Sequence, residues 1–413
     1  MNWGKKFWKV CAASIRILFR EGTRSYLRQV SEKIRRREFT ILEPKVPSNS
    51  VLGSPFPIPS DFLLRQIGGP GMTPEIYLQS GCTLSHQIKQ GLHVAGRDFD
   101  FKSVLDWGCG CARVLRWLCW PKMKCRFYGT DISQEAVEWC RKNIPFAKFE
   151  RNNPLPPLPF PDGSFDLIYG ISVLTHLDEA FQFAWLKELG RVAKPGAIII
   201  LSTHGDMFGQ LFLSRLEYER LSKKGFLYTK AVEKGGVHGL PSFYQTTFHT
   251  RQYVENKWGK FFTLLLYAEH GAKHQDLIVM EKAKFDKTGM VGHPKSYVHL
   301  DLPIGHIEDP RLNTVVSTQQ LSVRGWAFRP SGGTIQLDLF IDERKVGSLT
   351  VDANRSDIAQ NYPTYPSANC SGFSTTIQIN DLNAGIHILS ISEISNSIPI
   401  SCIHFQTWTE SLR

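Results

Sequence analysis

The stretch VLDWGCGCARVLRWL, residues 104–118, constrains the fold of this chain more than any other segment. A short apolar strand ends at Asp106, a turn with two glycines follows, and a helix begins near Arg113. Gly108 and Gly110 have no Cβ, so the backbone of the turn can approach a ligand closely. A strand, a glycine turn and a helix in this order place a nucleotide-like ligand at the carboxyl end of the strand.

A carboxylate further along the chain fits the same arrangement. Asp131 ends the next predicted strand, twenty-one residues after Gly110. At that position a carboxylate accepts hydrogen bonds from both hydroxyls of a ribose. The dinucleotide-binding pattern G-x-G-x-x-G is absent, because Arg113 occupies the position of its last glycine. The spacing therefore disfavours an NAD-dependent dehydrogenase.

Residues 61–285 alternate short apolar runs with amphipathic segments of helical length, which predicts an α/β, doubly wound sheet. Strands are predicted at 103–107, 126–130, 165–170 and 197–203, and helices at 133–143 and 178–193. Two further apolar runs, 261–269 and 276–282, lie too close together for a helical crossover. They predict an antiparallel hairpin that closes the sheet.

The rest of the chain divides into four segments. Residues 1–38 are predicted to form a basic amphipathic helix, 39–60 and 286–309 to be linkers, and 310–413 to form an all-β sandwich without helices. The six strands of the sandwich are predicted at 321–328, 334–342, 346–352, 372–380, 385–392 and 399–408.

The net charge of +11 is concentrated at the N-terminus, where residues 1–38 hold eleven basic and three acidic side chains. Two interpretations fit this helix. It binds anionic lipid at the membrane interface, with Trp3, Phe7 and Trp8 as anchors, or it is a solvated helix that packs on the next domain. Because the remaining chain has no concentrated basic stripe, no nucleic-acid partner is predicted.

Cysteine usage and hydropathy indicate the compartment. The nine cysteines are odd in number and form no C-x-x-C pair, so neither a disulfide framework nor a metal site is predicted. Whether Cys370 and Cys402 pair stays open. No apolar run approaches the roughly 20 residues of a membrane helix, and Arg16 interrupts the N-terminal apolar stretch. We expect a cytoplasmic protein, with peripheral contact at the inner membrane face if residues 1–38 bind lipid.

The motif Asp106-x-Gly108-x-Gly110-x-Ala112 resembles the D/E-x-G-x-G-x-G motif of class I S-adenosylmethionine-dependent methyltransferases and departs from it only at Ala112. The resemblance covers most of residues 100–205 and implies a Rossmann-like domain with S-adenosyl-L-methionine as cofactor. It also implies the roles of eight residues. They are Asp106, Gly108 and Gly110 at the methionine end, Asp131 and Ile132 on the ribose and adenine side, Asn152 or Asn153 at the adenine, and Ile171 at the floor of the pocket.

Methyl transfer to a hydroxyl needs a base for the hydroxyl proton, and histidine has a suitable pKa. His176 follows the fourth strand and is the first candidate, with His204 and His249 as further ones. The alternative for His176 is a structural role in packing near the cofactor. Residues 206–258, rich in glycine, histidine and aromatic side chains, are predicted to form the acceptor lid.

The motifs VRGWAF (323–328), VDANRSDIAQNYP (351–363) and SGF (371–373) resemble accessory β-sandwich domains found beside enzymes of bacterial surface-glycan assembly. Trp326, Arg355, Asp357 and Tyr362 form either a glycan-contacting patch or, in the interpretation we prefer, a core tryptophan and a stapled loop. The expected function is O-methylation of a sugar in a glycan or glycolipid precursor. Alternatives are a small-molecule methyltransferase and a non-catalytic scaffold. Protein or nucleic-acid methylation is disfavoured, because no N-P-P-Y motif is present.

Overall fold

The computed structural model describes residues 56–69, 71–118, 125–229, 244–283, 296–312, 314–316, 319–394 and 396–407. The helix predicted at 1–38 and most of the linker predicted at 39–60 lie outside the described residues. Among the described helices, none is long and apolar enough to cross a membrane.

The described residues form nine α-helices and eighteen strands. The helices are α1 Asp61–Gly68, α2 Pro74–Val94, α3 Leu115–Leu118, α4 Gln134–Asn143, α5 Glu179–Val192, α6 Asp206–Phe212, α7 Arg215–Lys224, α8 Arg251–Lys257 and α9 Ser356–Asn361. The strands are β1 Ser103–Trp107, β2 Arg126–Asp131, β3 Ala147–Arg151, β4 Phe165–Gly170, β5 Ala193–Thr203, β6 Phe226–Thr229, β7 Thr246–His249, β8 Thr263–Ala272, β9 Gln275–Glu281, β10 Val298–Asp301, β11 Ile304–Asp309, β12 Thr314–Val316, β13 Gln320–Phe328, β14 Gln336–Ile341, β15 Arg344–Thr350, β16 Gly372–Gln378, β17 Gly385–Glu393 and β18 Pro399–Thr407.

An eight-stranded sheet in the order β10-β8-β9-β5-β4-β1-β2-β3 carries the first region. Strands β1 to β5 pair in parallel, whereas β9 runs antiparallel to both β5 and β8. Both faces are covered by apolar cores, which explains why the β5 run AIIIL is continuously apolar. The predicted doubly wound sheet and its closing hairpin are confirmed.

Helix caps set the positions of the crossovers beside the sheet. Ser133 Oγ accepts a hydrogen bond from Ala136 N at the start of α4, and Asp178 accepts one from Phe181 N at the start of α5. Such caps satisfy backbone donors that have no partner inside the helix. They fix the first turn of α4 directly after Asp131, at the edge of the sheet where the ligand is expected.

The second region, residues 304–407, is built from two sheets around one apolar core. The sheets have the orders β11-β13-β16 and β12-β18-β17-β14-β15. All six strands predicted from the sequence are present, but α9 is a helix that was not predicted. Its six residues, SDIAQN, are too few for a helical period to stand out from a turn.

The side chains suggested as a glycan patch are structural. Trp326 is 8% exposed and packs near Phe328 and Tyr362. Arg355 binds both Glu308 and Asp357 through charge-assisted hydrogen bonds. The structure therefore agrees with the interpretation of a core tryptophan and a stapled loop.

The prediction of a linker at 286–309 is wrong for most of the residues of this segment that the structure describes. Strand β10 extends the large sheet in parallel with β8, and β11 pairs with β13 in the second region. Only Leu302 and Pro303 separate the two strands. Because pairing with a distant strand decides these elements, the local sequence pattern does not reveal them.

The two regions share a buried interface between α2 and β18. Thr83 Oγ1 lies 3.1 Å from Cys402 N, and Gln87 Nε2 donates to Pro399 O at 2.9 Å. The rings of Trp117 and His404 stack with 4.5 Å between their centroids. Cys402 is buried in this interface whereas Cys370 is exposed, and both thiols are free, which answers the question of their pairing.

Candidate active site

A cleft lies at the carboxyl ends of β1, β2 and β4, where the sequence placed the ligand. Seven of the eight predicted cofactor-binding residues line it, together with His176. They are Asp106, Gly108, Gly110, Asp131, Ile132, Asn152 and Ile171. Asn153, the alternative to Asn152, is exposed and does not line the cleft.

The glycine turn is held in a conformation that disfavours larger residues. Gly108 has φ +73° and Gly110 has φ +50°, in the left-handed region where a Cβ is strained. A Cβ on Gly108 would also lie 2.4 Å from Val173 Cγ2. Ala112 also has a positive φ, +57°, and is fully buried. At the position of the motif's last glycine, this chain therefore buries one additional methyl group.

Asp131 is oriented by two backbone donors. Its Oδ2 accepts from Gly110 N and its Oδ1 from Ser133 N, each at 2.8 Å. Each carboxylate oxygen has a second lone pair that stays available to a ligand. Burial raises the pKa of Asp131, so hydroxyl donors from a ribose would favour its ionised form.

Asp106 and Asn152 show what kind of ligand the cleft accepts. Burial raises the pKa of Asp106 to about 7, and a cationic ligand group beside it would favour the carboxylate. Asn152 donates its side-chain amide to Asn153 O, while its buried Oδ1 has no partner among the described residues. An unpaired acceptor suits an adenine amino group. The two residues therefore fit S-adenosylmethionine, which carries both an adenine and positive charge.

Several lining residues were not predicted from the sequence. Helix α1 contributes Leu63, Gln66 and Ile67, which cover the cleft. Arg113 also lines it, and its Nη1 donates to Ser80 Oγ at 3.3 Å. A guanidinium matches a carboxylate in geometry and charge, so Arg113 suits the carboxylate of the cofactor's methionine portion. In the sequence, the positive charge of Arg113 beside the glycine motif is the feature that could have indicated this role.

His176 faces the cleft with one ring nitrogen available. Its Nδ1 lies 2.9 Å from Gln245 O, and because a carbonyl only accepts, Nδ1 carries the hydrogen of the neutral ring. Its Nε2 therefore holds the lone pair. The ring stacks on Tyr244 at 4.0 Å, and burial lowers the pKa of His176 to about 4. The imidazole is consequently neutral at pH 7.

His204 and His249 lie behind the cleft rather than in its wall. The His204 ring is 6.2 Å from that of His176, with Nδ1 3.2 Å from Thr247 O and Nε2 3.4 Å from Gln275 Nε2. His249 is fully buried, and its two nitrogens bind Thr203 Oγ1 and Gln182 Oε1. Neither His204 nor His249 lines the cleft, whereas His176 does.

The predicted lid at 206–258 is structured around His176 where it is described. Strands β6 and β7 pair as a two-stranded sheet, and Gln245 N donates to His176 O at 3.2 Å. Thr247 Oγ1 donates to Leu177 O at 2.8 Å. Residues 230–243, which include most of the glycine-rich part of this segment, lie outside the described residues.

One group of possible metal ligands occurs in the described part of the chain. Glu269, His270 and Asp301 offer atoms within 4.8 Å of one another. However, Glu269 Oε1 lies 2.7 Å from His299 Nε2, and Asp301 accepts from the Ser331 hydroxyl. Each carboxylate thus has a partner outside the group, whereas His270 Nδ1 is buried without a partner among the described residues.

Comparisons with known proteins match the segment that carries this cleft. Residues 105–201 match the family described as "Methyltransferase domain". A probable tocopherol O-methyltransferase from Oryza sativa subsp. japonica is 37% identical over 110 residues, which cover 25% of this chain and 29% of that protein. A fatty-acid O-methyltransferase from Mycolicibacterium smegmatis is 30% identical over 108 residues, covering 26% of this chain and 38% of that protein. The matches thus span less than half the length of these relatives.

Two solved structures of methyltransferases are also similar to about half of this chain. A S-adenosylmethionine-dependent methyltransferase from Methanosarcina mazei shares 20% identity, with a TM-score of 0.33 over 45% of this chain and 94% of that one. One from Aquifex aeolicus shares 16% identity, with a TM-score of 0.34 over 55% of this chain and 100% of that one. The family match is confined to residues 105–201, which match a methyltransferase domain, and the strand order of the sheet is that of a Rossmann-like class I S-adenosylmethionine-dependent methyltransferase fold, whose cofactor is S-adenosylmethionine.

Proposed function

We propose that this protein is a S-adenosylmethionine-dependent methyltransferase that acts on an acceptor oxygen. The observation that carries the proposal is that Asn152 Oδ1 has no partner in the described part of the chain, although it is buried in the same cleft as the carboxylates of Asp106 and Asp131. Buried polar atoms without a partner are rare in folded proteins, and each needs an explanation. A bound adenosine with a cationic side chain supplies partners for all three.

The cofactor, when bound, supplies a methyl group already activated on sulfur. In the proposed reaction the residues of the chain orient it: Asp131 holds the ribose and Arg113 the carboxylate. His176 Nε2 accepts the hydroxyl proton of the acceptor as the new oxygen–carbon bond forms and the sulfur–carbon bond breaks. The carbonyl of Gln245 fixes the tautomer and stabilises the protonated ring, because it accepts from Nδ1–H.

For the acceptor we propose a sugar hydroxyl of a glycan or glycolipid precursor. This proposal is supported by the resemblance of residues 323–373 to accessory domains of surface-glycan enzymes. The matched relatives are named for tocopherol and fatty-acid substrates, but the matched segment carries the cofactor cleft. A small-molecule acceptor is the competing proposal, and labelled methyl transfer into lipid-linked saccharides or into free metabolites distinguishes the two.

Titration calorimetry with S-adenosylhomocysteine tests the cofactor proposal. We expect the wild type to bind and Asp131→Ala to bind far more weakly. No binding by the folded wild type would refute the proposed function. The protein could bind S-adenosylhomocysteine but transfer no methyl group into any fraction of the native host extract. That result would contradict the proposed methyl transfer and favour the alternative of a non-catalytic scaffold.

For residues 1–38 we propose peripheral contact with anionic membranes, on the strength of their net positive charge and aromatic anchors. Full-length protein should sediment with phosphatidylglycerol vesicles at low salt and lose this at high salt. Protein lacking residues 1–38 should remain in the supernatant when the vesicles are sedimented, and its binding of S-adenosylhomocysteine should be unchanged. Full-length protein that ignores the vesicles at low salt would contradict the proposal.

A further inference from the structure

Three side chains of metal-binding type meet at one edge of the large sheet, outside the cofactor cleft. Glu269 and His270 lie in β8, and Asp301 is the last residue of β10, which pairs with β8 in parallel. One oxygen or nitrogen atom of each side chain lies within 4.8 Å of those of the other two. None of the three residues lines the cofactor cleft. We call them the β8–β10 cluster.

A bulge in β8 explains how two consecutive residues both approach Asp301. Successive side chains of a regular strand point to opposite faces of the sheet. The pairing of β8 with β9 shifts in register between Ala268 and Ala272, and His270 within this bulge has φ +61°. An irregularity of this kind changes the direction of a side chain. Because the cluster forms only when β8 and β10 pair, the local spacing of residues did not predict it.

The imidazole of His270 is buried with unused hydrogen-bonding capacity. Its side chain is 4% exposed, and its Nδ1 has no hydrogen-bond partner among the described residues. Carboxylates flank the ring on both sides at 4.0 Å, with Asp276 Oδ1 facing Nδ1 and Asp301 Oδ1 facing Nε2. Both distances are longer than a hydrogen bond. Because buried polar groups normally have partners, this ring requires an explanation.

Among the described residues, no lysine or arginine forms an ion pair with the carboxylates of the cluster. The basic side chains within 4.0 Å of Glu269 and Asp301 are His299 and His270. An imidazole is positively charged only when both of its nitrogens are protonated. A divalent cation would compensate both carboxylates and would also bind a nitrogen of His270.

We propose that the β8–β10 cluster binds a divalent transition-metal ion of the Zn²⁺ type, with Glu269, Asp301 and Nε2 of His270 as ligands. Such ligand atoms lie about 2.0–2.2 Å from the ion, so two of them are at most about 4.4 Å apart. The 4.0 Å between His270 Nε2 and Asp301 Oδ1 is within this limit. An imidazole ligand favours Zn²⁺ over Mg²⁺ and Ca²⁺, which prefer oxygen ligands.

Neighbouring groups are placed to orient these ligands. When Nε2 of His270 binds the ion, the ring hydrogen is on Nδ1, which faces Asp276, and a carboxylate behind a metal-binding histidine is a common arrangement. The hydroxyl of Ser331, in the C-terminal β region, donates to Oδ2 of Asp301 and leaves Oδ1 for the ion. Two residues after Asp301, the chain enters β11 of that region. The ion would therefore stabilise the junction of the two regions, a role that goes beyond the proposed function.

The test is calorimetric titration of the full-length protein, freed of metal with EDTA, with ZnCl₂ and with MgCl₂. Glu269→Gln and Asp301→Asn each remove one ligand charge and keep the shape of the side chain. Asp342→Asn is the matched control, because Asp342 Oδ2 lies 2.6 Å from His387 Nδ1 but belongs to no group of three metal ligands in the described part of the chain. Thermal unfolding without metal checks that every variant is folded.

We expect the wild type and Asp342→Asn to bind Zn²⁺ with equal affinity, Glu269→Gln and Asp301→Asn to bind it at least about tenfold more weakly, and Mg²⁺ to bind far more weakly than Zn²⁺. Zn²⁺ should also raise the Tm of the wild type more than that of Asp301→Asn, because an ion that binds only the folded chain stabilises it. The inference would be overturned if the folded wild type did not bind Zn²⁺, if both cluster variants bound it like the wild type, or if Mg²⁺ bound equally well. None of these results bears on the proposed function, which S-adenosylhomocysteine binding tests separately.

Discussion

The two sides of the cofactor cleft use their polar groups differently. On the cofactor side, Asn152 Oδ1 is unpaired among the described residues, and the partners of Asp131 include the backbone N–H groups of Gly110 and Ser133. On the histidine side, both ring nitrogens of His204 and His249 have partners within the protein. Only His176 of these three keeps a lone pair directed away from its internal hydrogen bond.

Unused hydrogen-bond capacity, rather than residue type alone, therefore selects the groups that we propose act on a ligand. Histidine is a frequent catalytic residue, yet burial lowers the pKa of His249 to about 3 and its partners complete its hydrogen bonding. His249 therefore contributes to the core. The contrast between the two sides can be tested at one residue from each.

The largest effect is expected for Asp131→Ala. Two hydrogen bonds from the ribose to a charged group, at roughly 2 kcal/mol each, would be lost, which weakens S-adenosylhomocysteine binding about 1000-fold. Asp131→Asn, which keeps one acceptor oxygen and the side-chain volume, should bind with intermediate affinity. Calorimetry provides the affinities, and thermal unfolding checks that both variants are folded. Near-wild-type binding by folded Asp131→Ala would show that the carboxylate serves only the glycine turn.

A smaller effect, about a 100-fold loss of kcat, is expected for His176→Gln, since glutamine cannot take the acceptor proton. Binding of S-adenosylhomocysteine should not change. The rate of the wild type should fall as pH decreases through the pKa of His176, about 4, because the protonated ring has no lone pair.

His204→Gln serves as the control for this experiment, because His204 does not line the cleft. Its kcat for labelled methyl transfer should stay within about threefold of the wild type. If His204→Gln and His176→Gln reduced kcat equally, the two histidines would act as a unit, and the distinction between the cleft wall and the layer behind it would be wrong.

The cofactor side was predictable from the sequence because its residues are close in the chain. Asp106, Gly108 and Gly110 lie on one turn, and Asp131 ends the neighbouring strand, so local patterns place them together. The histidine side depends on contacts between distant segments: His176 binds Gln245, and His204 binds Thr247. No local period encodes such contacts, and strand β10 escaped prediction for the same reason, whereas helix α9 is too short to show a helical period.

Arg113 is the exception on the cofactor side: its position shows that a dinucleotide motif is absent, and its positive charge was the one local sign of a role in binding. If its guanidinium binds the carboxylate of the cofactor, Arg113→Met should weaken S-adenosylhomocysteine binding about tenfold. Binding of 5′-methylthioadenosine, which lacks that carboxylate, should be unchanged. An equal loss for both ligands would instead assign Arg113 to the support of α2 through Ser80.

The smallest effect concerns the pH dependence of the free energy of unfolding. It compares His249, a histidine of the core, with His176, a histidine of the cleft. Burial lowers the pKa of His249 to about 3 and that of His176 to about 4, below the unfolded value near 6.5. Between these values the unfolded chain binds more protons, so stability is present above pH 6.5 and is lost as pH falls. Each histidine contributes about 1.4 kcal/mol per pH unit to this slope near pH 5. Urea unfolding of His249→Gln and His176→Gln at pH 5 and 6 should show the same reduction of slope in both, although only His176→Gln loses kcat. An unchanged slope in His249→Gln would mean that the folded protein protonates His249, and the assignment of a neutral His249 to the core would be wrong.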